Sequence, residues 1–247
     1  PMADRKLALF HLGEWTSLWP GELKLDRIPK LSPVDAGLQG KLIDMGIHLL
    51  KNKDAEMRRL SARLLKEIGN PRDPALKDRR TNAALTALVA AYKFEPTGKA
   101  HREMAEAVFD TGGEETWKEV SGNPAGILML MFCAYFPNVN GVDVITLSCN
   151  EHKYSRRKHA PTRIILERLG RDHTVLERRE SALPLESDQE LEKKDPFKQW
   201  MATMILVPCS DMAEGTWRFT MEGKTGDHQE FQWRSEPELL ELKREKK

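Results

Sequence analysis

The apolar residues of this chain change their period once along its length, and that change limits what it can fold into. Up to about residue 137 they recur every three or four positions, the spacing of one helix face. After residue 138 stretches of strict alternation appear, the spacing of a strand. The expected class is therefore α+β, with a mainly helical N-terminal part followed by a mixed α+β C-terminal part containing a β-hairpin. The expected divisions are an N-terminal arm at 1–30, a helical domain at 31–137, an α+β domain at 138–235 and a charged tail at 236–247.

The helical signals are local and chemical. Ser32-Pro33-Val34-Asp35 supplies a cap, a proline for the first helical position and an acid for the first turn. Val34, Leu38, Leu42, Met45 and Leu49 then make one stripe. Gly37, Gly40 and Gly46 either weaken this helix or let another pack closely. Asp54 caps a second helix with an apolar face of Met57, Leu60, Leu64 and Ile68, ended by Gly69 and Asn70-Pro71. Residues 75–95 favour an alanine-rich third helix, and shorter helices are expected at 99–109, 113–121 and 124–136. Pro124 would open the last of these and Pro137 would stop it.

In the second part Val142–Cys149 reads as a strand, with Ile145, Leu147 and Cys149 alternating against Val144, Thr146 and Ser148. Thr162–Gly170 reads as a short helix. Leu183–Asp195 is acidic and loop-like, and Trp200–Val207 is apolar and ambiguous between helix and strand, ended by Pro208. The hairpin lies within Trp217–Trp233: Trp217, Phe219 and Met221 alternate with Arg218, Thr220 and Glu222, and Gly223-Lys224-Thr225-Gly226 makes the turn. Residues 236–247, four acids and four bases, read as a solvated tail or terminal helix.

At 40% hydrophobic and 31% charged, the chain has enough apolar surface for a folded core and is not of disordered composition. Its longest apolar run, Ala125–Phe136, would rise only about 18 Å as a helix, short of the roughly 30 Å hydrocarbon slab, so it reads as core. Three widely spaced cysteines, Cys133, Cys149 and Cys209, suggest no disulfide framework, and no apolar signal-type segment opens the chain; an intracellular, reducing compartment is expected, cytoplasmic or nuclear. Trp15 and Trp19 lie in an arm with little periodicity. They cover either the edge of this protein's own core or a protein partner.

Charge carries the functional signal. His152–Arg171 holds Lys153, Arg156, Arg157, Lys158, Arg163, Arg168 and Arg171 against Glu167 alone, a local +6 in a chain of net +1. Such a cluster repels itself unless something anionic relieves it. Arginine forks suit phosphate oxygens, Tyr154 suits stacking on an unpaired base, and His159 adds charge on acidification. A solvated loop balanced by the acidic stretch Glu186–Glu192 is the competing reading, and the cluster also fits a nuclear-localisation pattern. Arg58, Arg59, Arg63 and Lys66, continued by Lys77, Arg79 and Arg80, form a second basic surface.

Catalytic signatures are weak by comparison. Gly223-Lys224-Thr225 has the ending of a phosphate loop, but Arg218 stands where the required glycine belongs, and the segment joins two strands. Cys149, His152, His159 and His173 match no standard zinc spacing, so no metal and no cofactor are expected. A metal-dependent nuclease would need converging carboxylates, and Asp143 is the single acid to watch. The sequence thus favours a non-enzymatic binding and assembly protein, of viral matrix or nucleocapsid type. It would self-associate and hold RNA or an acidic phospholipid surface through the basic cluster. The alternatives are a nuclease or hydrolase acting on nucleic acid, or a protein–protein adaptor.

Overall fold

The computed structural model describes residues 33–68, 74–124, 126–139, 141–152, 159–183, 205–225 and 231–244. They fall into two compact units, one ending at Val120 and one beginning at Ser121. The first is helical and the second holds a curled sheet, so the molecule is α+β. The expected arm at 1–30, with Trp15 and Trp19, lies outside the described residues, as does the acidic stretch Glu186–Glu192.

The first unit contains α1 (Pro33–Leu49), α2 (Ala55–Ile68), α3 (Pro74–Phe94) and α4 (Lys99–Ser121). Asp54 caps α2 as expected, accepting from the backbone N–H of Glu56 at 2.8 Å and of Met57 at 3.2 Å. Met57, Leu60, Leu64 and Ile68 are all buried. In α1 the buried face is not the expected stripe. Leu38 is 49% exposed and Leu42, Met45 and Leu49 are half-buried, whereas Ile43, Gly46 and Leu50 are buried. Gly46 accounts for the rotation: a Cβ there would come within 2.9 Å of Leu65 Cδ2, so α2 packs closely over the missing side chain.

The two short helices expected at 99–109 and 113–121 are the halves of α4, which kinks at Gly113 (φ 75°, ψ −175°). Beyond the kink, Trp117 is 1% exposed and meets Tyr92 and Phe109 edge-on, with ring centroids 5.5 and 6.4 Å apart.

The second unit corrects three sequence expectations. Residues 124–136 are not a core helix; they lead into β1 (Met129–Val139), and Pro137 sits inside that strand instead of stopping a helix. Thr162–Gly170 is not a helix either but lies within β3 (His159–Leu169). The tail at 236–247 contains β8 (Glu238–Leu242), paired with β6. The remaining strands are β2 (Val142–Glu151), β4 (Val175–Ala182), β5 (Ile205–Pro208), β6 (Gly215–Thr225) and β7 (Phe231–Glu236). The hairpin β6–β7 is where the alternation placed it, although β6 runs through Gly223, Lys224 and Thr225 before the connection begins.

The strand order is β4-β3-β6-β7-β1-β2-β5, antiparallel throughout except for the β1–β7 pair. One face of this sheet is the core, built on Met129, Met131, Ile145, Leu147, Trp217 and Phe219, all at most 1% exposed. Each such side chain contributes roughly 1.5–3 kcal/mol by leaving water. The registers then fix what stands on the opposite face, and that face carries the charge.

Candidate nucleic-acid interface

Residues Lys153, Tyr154, Arg156, Arg157 and Lys158 lie outside the described residues, between the ends of β2 and β3. His159 begins β3, its backbone paired with Thr225 of β6; its side chain is not described. Arg163 stands on the outer face. Its Nε donates to Glu222 Oε2 at 2.9 Å, its Nη2 donates to the same oxygen, and its Nη1 donates to Glu180 Oε2 at 3.1 Å. The hydrogen bond to Glu222 raises the guanidinium's already high pKa further. Arg168 pairs with Glu177 at 3.3 Å, and Arg171 is exposed in the turn between β3 and β4.

The structure thus separates residues that the sequence groups together. Arg163 and Arg168 are matched by carboxylates from other strands. Glu167, the single acid in the run, is 6% exposed and serves cations outside it. Its Oε2 accepts from Arg218 Nε at 2.9 Å, and its Oε1 accepts from Arg178 Nη1 at 3.3 Å. Arg178 also donates to Glu180 at 2.6 Å, and this bond holds the Glu180 carboxyl below the usual carboxylate range. Arg234 of β7 reaches Glu222 at 3.4 Å. The result is a continuous row across four strands: Arg234, Glu222, Arg163, Glu180, Arg178, Glu167 and Arg218.

Arg178, Arg218, Arg234 and Lys224 were missed from sequence as members of this surface. Their signal was the alternation itself, since each occupies the non-core position of its strand. Ile165, 1% exposed, and Thr220, 2% exposed, lie on the same face beneath the long side chains.

The second basic surface is likewise matched by acids. Arg58 donates from Nε and Nη2 to Glu95 at 2.6 and 2.8 Å, a two-point fork, and Arg59 does the same to Glu56. Lys66 lies 2.9 Å from Glu103 and 3.1 Å from Glu106. Burial lowers the Lys66 pKa, but the two carboxylates outweigh it and leave the pKa above its ordinary value. Arg63 also has a partner. The side chains of Lys77, Arg79 and Arg80 are not described.

Asp143 is occupied structurally: its Oδ1 accepts from the Asn138 N–H at 3.0 Å and its Oδ2 lies 3.7 Å from Arg244 Nε. Among the described residues no three His, Cys, Asp or Glu side chains gather so as to hold a metal. The three cysteines are free thiols, and burial, helped by Glu238, pushes Cys133 up to about 12, which keeps it a poor nucleophile near neutrality. No helix among the described residues is long and apolar enough to cross a membrane.

No family model matches the chain, and no curated protein matches it. Among solved structures it is weakly similar to the Pseudomonas fluorescens alkylpurine DNA glycosylase AlkC bound to DNA containing an abasic site analog. The match has 10% identity and a TM-score of 0.25, over 82% of this chain and 64% of that one. The chain therefore spans less than two thirds of that structure's length, and at this TM-score the likeness carries no argument about fold or function.

Proposed function

We propose that this protein is a non-enzymatic binding and assembly protein that holds RNA by its phosphates through Lys153, Arg156, Arg157 and Lys158, with Tyr154 and His159 beside them. One observation carries this reading. The six residues between His152 and His159 contain four cations and no acid, whereas Arg163 and Arg168, which follow them in the same basic run, are matched by glutamates. A run of like positive charge is what a phosphate backbone relieves on binding, through released counterions. Arg171, exposed at the far end of β3, adds a further contact. The reading extends to self-association of matrix or nucleocapsid type in a reducing compartment.

The test is the triple substitution R156A/R157A/K158A, assayed for RNA binding at two salt concentrations. Three lost phosphate contacts are expected to weaken binding and to reduce the slope of log affinity against log salt by about 0.7 for each contact on a single strand. An unchanged affinity and slope would overturn the proposal. Vesicles of acidic phospholipid, run in parallel, separate RNA from a membrane surface: tight binding to vesicles with none to RNA would also overturn it. Light scattering on the eluted protein, with its ultraviolet absorbance ratio, reports oligomeric state and carried nucleic acid.

A further inference from the structure

A groove of about 900 Å3 runs through the helical unit, between the end of α1 and one face of α3. That volume suits a small ligand. Its wall has 13 residues, fewer than the roughly 20–30 that each partner brings to a stable protein interface. Most of the wall is apolar, with Ile47 and Leu50 on one side and Ala83, Ala87, Ala90 and Ala91 of α3 on the other. Phe94 stands at the end of α3, 87% exposed.

The polar groups collect at that same end. Arg58 forks Glu95 at 2.6 and 2.8 Å, and its Nη1 donates to the carbonyls of Asn52 and Lys53 at 2.8 and 2.9 Å. This one side chain ties the loop after α1 to the end of α3. It holds Lys51 in the groove wall, and Lys51 also lines an adjoining hollow of about 420 Å3 with His48 and Lys53. Lys51 and Lys53 are exposed, and among the described residues no carboxylate pairs with either. The acid in the wall, Glu95, is matched by Arg58.

We infer that this groove binds a free fatty acid of medium chain length, its apolar chain along α3 and its carboxylate at Lys51. The inference goes beyond the proposed function and does not depend on it. An apolar trough with cations at one end complements an amphiphile with an anionic head. A cationic head would be repelled by Lys51 and Lys53, and an uncharged one would leave both without a counterion. From Ala83 to Phe94 α3 rises about 16 Å, the extended length of roughly a dozen carbons.

The experiment titrates the full chain with dodecanoate, dodecanol and dodecyltrimethylammonium by calorimetry, and follows the alanine methyl signals of α3 by NMR. Dodecanoate is expected to bind about tenfold more tightly than dodecanol, and the ammonium compound more weakly than either. Each methylene added from octanoate to dodecanoate is expected to raise affinity by about two- to fourfold, with no further gain at hexadecanoate. Lys51→Glu should remove the preference for dodecanoate over dodecanol, and Lys51→Arg should keep it. Ala90 is exposed, so Ala90→Phe fills the groove without touching the core and should abolish binding of both. Dodecanoate that leaves the α3 methyl signals unmoved would overturn the inference, as would equal affinity for all three heads. Binding to vesicles of acidic phospholipid through Lys51, with none to dodecanoate, would assign the site to a membrane lipid and also overturn it. A change of oligomeric state in Ala90→Phe, with no response to dodecanoate in the wild type, would give the groove to a second copy and overturn it too. RNA affinity is expected to be the same in all these variants, so failure here leaves the proposed function standing.

Discussion

Glu167 is a carboxylate carried almost out of water between two guanidinium groups, Arg218 with Nη2 at 2.7 Å and Arg178 with Nη1 at 3.3 Å. Its removal would leave two cations on a packed face with their common acceptor gone. Glu167→Ala is expected to destabilise the protein by about 2–4 kcal/mol, read from the midpoint of urea unfolding. A loss below about 0.5 kcal/mol would mean that both arginines find water as readily as they find the acid. That Glu167 shares a face with Arg163 was open to a local reading. A separation of four residues returns to the same face both in a helix of period 3.6 and in a strand of period 2. The sequence reading grouped the two residues only as members of one charged run and assigned the wrong element. It could not show Glu222 or Glu180 arriving from other strands, because those partners lie 59 and 17 residues from Arg163 along the chain.

At the scale of elements, the capped helices α1 and α2 were read as helices, although α1 buries a different face from the expected stripe, and the misread segments lack a clear strand period. Ala125–Phe136 is apolar throughout and thus has no period, so alanine, leucine and methionine argue for a helix by propensity alone. Pairing with β2 on one side and β7 on the other overrides that preference. In β8 only Leu240, Glu241 and Leu242 alternate, too short a run to signal a strand beside the charged residues that follow, yet Leu242 is fully buried. The kink in α4 was legible as a break between two helices, but its geometry was not. Gly113 occupies φ 75° and ψ −175°, a region open to glycine and strained for any side chain. Gly113→Ala is expected to cost about 1–3 kcal/mol although a Cβ there would meet nothing within 4 Å, so backbone strain alone would act. Thermal unfolding compared with Gly98→Ala, also at positive φ, provides the check; a stabilised Gly113→Ala variant would contradict the geometry.

For the molecule as a whole, the last strand is a structural tie. Leu240 and Leu242 join the core of the second unit, and Arg244 Nη2 donates to the carbonyls of Cys209, Ser210 and Met212 at 2.7, 3.0 and 2.8 Å. A chain ending after Glu236 loses all of these contacts. It is expected to be less stable by about 1.5–3 kcal/mol from the buried Leu242 alone, with the partly buried Leu240 and the Arg244 contacts adding to the loss. Limited proteolysis should find the second unit cleaved faster, and equal resistance would show that β8 is dispensable. By itself the sequence determined the α+β class, the capped helix at Asp54, the alternating strands of the hairpin and the place along the chain where positive charge concentrates. These depend on neighbours a few residues apart, and local period and capping chemistry report them. Only the tertiary structure decided that β1, β3 and β8 are strands and that most of the described arginines face glutamates. Strand pairing and ion pairing join residues tens of positions apart, and no local pattern encodes which distant partner arrives.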